Sequence, residues 1–178
     1  EYIYQTYFKE TPRVPRNILN TLKTTLSEYY PEFREEISTW RSSNNHSDAE
    51  IIWKRFYSYN NIFNCVEDFC QEHPQEETMI LTFSSAITVK GALGDVARLR
   101  RFLSQKEYDV NKNHKSMNVE KLFLSTAHSS KGLERDNVLV VLTFPLERAF
   151  VNFSDDLVVN ILTVALTRAR KKVVIYVP

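Results

Sequence analysis

The sequence predicts an α/β protein with a mainly parallel β-sheet flanked by helices and a helical N-terminal portion at about residues 15–75. Two observations lead to this class. Short continuous apolar runs, typical of strands buried on both faces, occur from residue 79 onward. Amphipathic helical stripes fill the first part and also separate several of the runs, as expected for a sheet with helical crossovers.

The N-terminal portion carries the helical stripes. Pro15 suits a first helical turn, and Ile18, Leu22 and Leu26 recur every fourth residue, which predicts an amphipathic helix to about Tyr30. A polar loop is expected at residues 42–47. Three further helices are predicted from apolar spacing: Phe33, Ile37 and Trp40; then Ile51, Ile52 and Phe56; then Ile62, Val66, Phe69 and Cys70.

The sheet is expected from about residue 78 onward. Apolar runs predict strands at residues 79–83, 122–126, 138–143 and 173–177, with helices at 93–103 and about 155–169 between some of them. In parallel sheets, ligands bind in loops beyond the carboxyl ends of the strands. The segment 126–137, which follows one strand and precedes the next, is therefore where a site is expected first.

Composition and charge limit the class of protein. Of 178 residues, 43% are hydrophobic and 12% aromatic, and 3 are glycines, so the chain has enough apolar surface to fold as one domain. A formal net charge of +1 means that any nucleic-acid contact must be local. Without a run of roughly 20 apolar residues or a signal-peptide layout, we expect an intracellular protein with no membrane partner.

The cysteines are the only candidate metal ligands that the sequence clusters. Cys65, Cys70 and His73 form a C-x4-C-x2-H pattern. Two cysteines are too few for a disulfide framework and fit a reducing interior. A zinc site would need a fourth ligand, and Cys70 lies on the apolar stripe of a predicted helix. We therefore expect a buried thiol and no metal site.

Two segments combine polar residues with a following strand. Residues 125–134 read S-T-A-H-S-S-K-G-L-E, in which Gly132 permits close backbone approach to a ligand and Glu134 offers an acceptor for a hydroxyl. Residues 164–172 read V-A-L-T-R-A-R-K-K and lead into the last strand. The two segments, about 30 residues apart, resemble motifs V and VI of UvrD/Rep-like superfamily 1 helicases, whose motif V reads roughly T-x-H-x-x-K-G-L-E.

The resemblance implies specific roles. Residues 1–178 would form a single RecA-like domain, the second motor domain of an ATP-dependent helicase or translocase. Arg168 would be the arginine finger at the γ-phosphate of ATP, Glu134 would bond the ribose beside Gly132, and Thr126 and His128 would face the nucleic acid. Without the resemblance, Arg168 would be read as an exposed arginine favouring the helix dipole and Glu134 as a surface carboxylate.

Further residues match the family less closely. The segment R-V-P-R-N-I-L from Arg13 resembles motif IV, which implies a second arginine at the γ-phosphate. Pro12 stands where the family often has an aromatic residue, so Tyr7, in an alternative register, is the candidate for stacking on adenine. Ser84 and Ser85, after the first predicted strand, are candidates for nucleic-acid contacts.

The sequence holds no G-x-x-x-x-G-K-[ST] segment and no credible D-E type acidic motif. ATP and Mg²⁺ would therefore be bound mainly by a first RecA-like domain, which is one expected partner. The other is single-stranded nucleic acid, with DNA preferred over RNA because the H-S-x-K-G-L-E form is most typical of DNA-acting relatives. Three alternatives stay open: a degenerate domain kept as a protein-interaction module, an RNA helicase, and a nuclease-coupled helicase.

Because the phosphate cradle and the metal ligands are missing from the sequence, the chain alone should not hydrolyse ATP. Phosphate release by the purified chain, measured with magnesium, ATP and a single-stranded oligonucleotide, should equal the rate in buffer. Magnesium-dependent turnover well above that rate would contradict this prediction.

Overall fold

The structure is a computed structural model that describes residues 10–11, 13–43, 48–82, 95–108, 110, 122–130, 132–142 and 155–177. Its N-terminal part forms a small helical layer. The first helix follows Pro15, whose missing N–H does no harm at a helix start. The elements here are β1 Glu10–Thr11, α1 Arg16–Tyr29, a 3-10 turn Pro31–Phe33, α2 Arg34–Thr39 and β2 Arg41–Ser42, with β1 and β2 paired in parallel.

The centre of the molecule is a five-stranded sheet in which every neighbouring pair is parallel. Its order is β3-β7-β6-β4-β5. The strands are β3 Glu50–Arg55, β4 Thr78–Thr82, β5 Leu122–Thr126, β6 Arg135–Val141 and β7 Ala169–Val177. The remaining helices are α3 Tyr59–Glu72, α4 Asp95–Gln105, a 3-10 turn His128–Ser130 and α5 Asp155–Leu166. The predicted α/β class with a mainly parallel sheet is confirmed.

Helices cover both faces of the sheet and create two apolar cores. Successive strand side chains point to opposite faces. In β6, Val138 and Val140 enter the first core with α1, α2 and α5, whereas Leu139 and Val141 enter the second core with α3 and α4. Burial on both faces is the reason that β4 and β5 are buried at every position and appear in the sequence as continuous apolar runs.

One predicted helix is wrong. Ile51, Ile52 and Phe56 belong to or directly follow strand β3, which pairs with β7, so the portion at 15–75 is not helical throughout. The spacing of four between Ile52 and Phe56 fits one face of a helix and equally one face of a strand. Ile51 packs against the first core and Ile52 against the second, which is the alternation of a strand.

A two-way hydrogen bond holds α1 beside the start of β3. The side-chain Oδ1 of Asn17 accepts from the backbone N of Ala49 at 3.0 Å, and its Nδ2 donates to the carbonyl of the same residue. Both polar groups of Ala49 are thereby satisfied by one side chain. The contact explains how the first helix, which follows Arg13, lies at the edge of the sheet where the strands begin.

The prediction of a buried thiol is confirmed for Cys70. Cys70 is buried in the second core, whereas Cys65 is half-buried. The ring of His73 lies 4.4 Å from the ring of Phe69, and its Nδ1 is 3.3 Å from Oε1 of Glu76. Within the described ranges no group of three potential metal ligands occurs. Nor does any helix in those ranges have the length and apolarity needed to cross a membrane.

Cys70 should be nearly inert toward thiol reagents. Burial, with the nearby charge of Glu67, raises the pKa of the Cys70 thiol to about 12. Since the thiolate is the reactive form, only about one thiol in 10⁴ would be ionised at pH 8, and the rate should rise with pH. We expect the Cys65→Ser variant to react with a disulfide reagent orders of magnitude more slowly than the Cys70→Ala variant. Similar rates in the two folded variants would contradict burial of this thiol.

Candidate functional site

Two of the predicted site residues meet at the edge of the sheet where β6 and β7 begin. Glu134 directly precedes β6 and Arg168 directly precedes β7. The backbone N of Arg135 donates to the carbonyl of Arg168 at 3.0 Å, and Arg135 lies opposite Ala169 in the register. The parallel pairing of two strands therefore brings together two segments that are far apart in the sequence. We call the edge of the sheet where the strands begin the amino rim.

Only the beginning of the segment 126–137 lies at the carboxyl ends of the strands, where we expected a site. Thr126 ends β5, level with Thr82 in β4, whereas Asn137 of β6 is level with Thr78. Four residues of strand separate these levels, or about 13 Å. We call the opposite edge, where the strands end, the carboxyl rim. The segment therefore crosses from the carboxyl rim to the amino rim, and its two ends lie on different surfaces.

The guanidinium of Arg168 is held in place by three hydrogen bonds. Its Nε donates to the carbonyl of Val164 at 3.0 Å, Nη1 to the carbonyl of Leu133 at 3.2 Å, and Nη2 to Oγ1 of Thr167 at 3.1 Å. Oγ1 of Thr167 in turn donates to the carbonyl of Val164 at 3.0 Å. These contacts use three of the five guanidinium N–H groups. Arg168 is half-buried and fixed, unlike a solvated arginine at a helix end.

The electrostatic surroundings of Arg168 include both other charged candidates. Burial lowers the pKa of Arg168 from its ordinary value, the charge of Glu134 raises it, and the charge of Arg13 lowers it. A guanidinium nevertheless stays protonated in proteins. Two arginines and one carboxylate therefore lie close together, with one excess positive charge that suits a polyanionic ligand.

Arg13 is the most exposed of these three residues. Its side chain is 73% exposed, and its Nε is 3.9 Å from Oε1 of Glu134. The backbone N of Arg13 donates to Oγ1 of Thr11 at 3.4 Å, which shapes the turn before α1. An exposed ion pair of this length contributes at most about 1 kcal/mol. A ligand with a negative charge could therefore draw Arg13 away from Glu134 at little cost.

Gly132 has a backbone role in the loop. Its φ of +82° lies in the left-handed region that side chains disfavour. A Cβ built on it would meet nothing within 4 Å, so the space beside this residue is open. The glycine is needed for the backbone conformation, and the open space is compatible with the predicted approach of a ligand.

Thr126 shapes the turn at the other end of the segment. Its Oγ1 accepts from the backbone N of Ser129 at 3.2 Å and donates to Oγ of Ser129 at 3.1 Å, and the residue is buried. Oγ of Ser130 donates to the carbonyl of Ala127 at 2.7 Å. The bonds order the 3-10 turn that contains His128, whose side chain lies outside the description. A direct contact of Thr126 with nucleic acid stays a prediction.

Three other candidates, Tyr7, Ser84 and Ser85, lie outside the described residues. The structure therefore brings together Arg13, Glu134 and Arg168, with Gly132 two residues before Glu134 in the same loop, and leaves Thr126 at the opposite rim. Sequence analysis missed the residues that hold Arg168, namely Thr167 through its hydroxyl and Val164 and Leu133 through their carbonyls. The adjacent threonine in the T-R-A triplet was the available signal.

The basic residues after Arg168 are neutralised. Arg170 lies 2.6 Å from Oε2 of Glu77 and 3.1 Å from Oδ1 of Asp136, while Nζ of Lys171 is 2.7 Å from Oδ2 of Asp136. A register irregularity between Arg135 and Asn137 places Asp136 opposite this basic pair. Because of these ion pairs, Arg170 and Lys171 add little net positive charge beside Arg168.

The chain is similar to known proteins over almost its whole length. Residues 3–177 match the UvrD-like helicase C-terminal domain. Among solved structures, one similar fold is the crystal structure of the C-terminal domain of a possible DNA helicase from Lactobacillus plantarum. The TM-score is 0.59 at 14% sequence identity, covering 93% of this chain and 87% of that one. A search of curated proteins found no match.

Proposed function

Because this chain belongs to the UvrD-like helicase C-terminal domain family, we propose that it is the second motor domain of an ATP-dependent superfamily 1 helicase or translocase. The observation that carries the proposal is the fixed guanidinium of Arg168. It is bonded to the carbonyl of Leu133, the residue before Glu134. The proposed arginine finger and the proposed ribose ligand therefore belong to one hydrogen-bonded unit.

The amino rim fits an ATP phosphate chain in charge and space. Arg168 and Arg13 would contact the γ-phosphate, and Arg168 would act mainly on charge that develops in the transition state. Glu134, once Arg13 is drawn to phosphate, would accept from the ribose beside Gly132. Tyr7 is the proposed adenine contact. Mg²⁺ would be held by the first RecA-like domain together with the phosphates.

The carboxyl rim would form part of the track for single-stranded nucleic acid. The turn shaped by Thr126 contains His128, which is a proposed contact, and Ser84 and Ser85 are further proposed contacts. Closure of the two RecA-like domains around ATP would shift the strand, and hydrolysis would reopen them. DNA is proposed over RNA on the form of motif V, and binding should weaken strongly with salt.

A degenerate domain that serves only as a protein-interaction module is the second candidate. It has no need to keep Arg13, Glu134 and Arg168 together beside a glycine with positive φ. Three hydrogen bonds also hold the half-buried guanidinium of Arg168 in one position. A module that only contacts other proteins does not require this. The geometry therefore favours the motor domain.

Arg168→Ala tests the proposal in the protein that joins this chain to a P-loop domain. We expect kcat for nucleic-acid-stimulated ATP hydrolysis to fall roughly 10³- to 10⁵-fold, with KM for ATP little changed, because the lost contact acts on the transition state. Arg168→Lys should also be defective, since an ammonium cannot reproduce the planar fork.

The matched control is Arg170→Ala, which removes an arginine two positions away that is paired with Glu77 and Asp136. Its kcat should stay within a few-fold of the parent. Thr167→Val should lower kcat less than Arg168→Ala, and Thr167→Ser should restore it, because serine keeps the hydroxyl that accepts from Arg168. An unchanged kcat in Arg168→Ala would remove this residue from the nucleotide site.

Glu134→Ala should behave differently from Arg168→Ala. A ribose contact stabilises ground state and transition state alike, so its loss should raise KM for ATP more than it lowers kcat. Replacing ATP with 2′,3′-dideoxy-ATP removes the hydroxyls that would donate to this carboxylate. The parent protein should discriminate well against the analogue and Glu134→Ala poorly. Equal discrimination by both proteins would show that Glu134 does not recognise the ribose.

A further inference from the structure

An exposed aromatic and basic surface lies where the edge strand β3 ends. Trp53 is 58% exposed and Tyr57 is 90% exposed, although both are large aromatic side chains. Lys54 and Arg55, between them, are also exposed. We call these four residues the β3 end surface. Sequence analysis assigned the segment to a helix and singled out none of the four.

The backbone that presents this surface is fixed. β3 is paired with β7 along its whole length, from Glu50 opposite Lys172 to Arg55 opposite Val177. Phe56 is buried in the second core, and its backbone N donates to the carbonyl of Val177 at 2.8 Å. Tyr57 is therefore held out to solvent by an anchored neighbour. Trp53 lies on the face of β3 that carries Ile51, and Lys54 lies on the other.

The positive charges of this surface are uncompensated by the acidic residues that the structure describes. Among those residues, the ion pairs of other basic side chains include Lys106 with Glu67, Arg170 with Glu77 and Lys171 with Asp136, and none involves Lys54 or Arg55. Two exposed cations beside two exposed aromatic rings match the chemistry of single-stranded nucleic acid, in which phosphates alternate with stackable bases.

Protection of a sheet edge does not account for the whole surface. Charged side chains on an edge strand discourage pairing with another strand, and Lys54 and Arg55 would serve that purpose. An indole and a phenol left in water work against it, because exposed large aromatics promote association. Edge protection therefore leaves the exposure of the two aromatic residues unexplained.

The surface lies on the same rim as the proposed nucleic-acid track. Arg55 ends β3 level with Val177, Tyr176 of β7 is level with Val141 of β6, and Thr82 of β4 is level with both Val141 and Thr126. β3 and β5 are the two outer strands of the sheet, so four strand spacings separate their ends, or about 19 Å.

We propose that the β3 end surface is a second contact site for single-stranded nucleic acid, bound by stacking of bases on Trp53 and Tyr57 and by phosphate pairing with Lys54 and Arg55. It would extend the track along the carboxyl rim from the turn at Thr126. The proposal rests on the proposed function, because it assumes that the chain binds a single strand.

Trp53 offers a direct readout, because the chain has two tryptophans and Trp40→Phe leaves Trp53 as the only indole. Titration of this variant with oligothymidylate should quench its emission in a saturable manner, as bases stack on the ring. Unchanged Trp53 emission while anisotropy of a labelled oligothymidylate reports binding would overturn the proposal.

Affinity provides the second readout. Trp53→Ala and Tyr57→Ala should each raise Kd for the labelled oligothymidylate roughly 5- to 150-fold, the usual effect of losing one stacked base. Phe33→Ala, which removes a ring that is 52% exposed in the 3-10 turn after α1, should leave Kd unchanged. Replacing both Lys54 and Arg55 with Gln should reduce the slope of log Kd against log salt by about 1.4.

His128→Ala separates this proposal from the proposed function. Weaker binding in His128→Ala with unchanged Kd in Trp53→Ala and Tyr57→Ala would overturn the proposal for the β3 end surface. It would leave intact the proposed track at the turn that contains His128, which we call the motif V track. Weaker binding in the two aromatic variants alone would support the surface and count against the motif V track. No binding of oligothymidylate or oligouridylate by the parent protein would overturn both.

Discussion

Parallel pairing of β6 with β7 is the constraint on which the candidate site depends. Parallel strands begin at the same rim, so the loop before β6 and the turn before β7 must meet. The bond from the N of Arg135 to the carbonyl of Arg168 closes this meeting point. The guanidinium of Arg168 then completes it by donating to Leu133 in the facing loop. A cation and the carboxylate of Glu134 are thereby positioned by backbone that the sheet itself holds.

The same loop links two surfaces of the domain. At the carboxyl rim, the N of Ala127 donates to the carbonyl of Thr82 at 3.1 Å, and the 3-10 turn that follows is tightened by the hydroxyls of Thr126 and Ser130. At the amino rim, the loop accepts from Arg168 through the carbonyl of Leu133. The loop therefore joins the turn at the carboxyl rim to the residue whose carbonyl accepts from Arg168 at the amino rim.

Charge is distributed unevenly along the amino rim. Asp136 and Glu77 neutralise Arg170 and Lys171, so the positive field at this edge is concentrated at Arg13 and Arg168. This arrangement is compatible with the formal net charge of +1 for the chain, because local excess does not require global excess. A basic stretch in the sequence is therefore not by itself a region of net positive charge.

The fold class could be predicted from the sequence, which also supplied the candidate site residues. Apolar runs and helical stripes are local properties, so β4, β6, α1 and α4 were predictable from neighbouring residues, and the match to motifs V and VI selected Glu134 and Arg168. Tertiary structure decided the rest. It made the segment around Ile52 an edge strand, because a spacing of four fits helix and strand alike and only pairing with β7 separates them. It also decided which rim each motif residue occupies, what holds Arg168, and that Trp53 is left in solvent. These properties depend on strand order and on contacts between residues far apart in the chain, which no local pattern encodes.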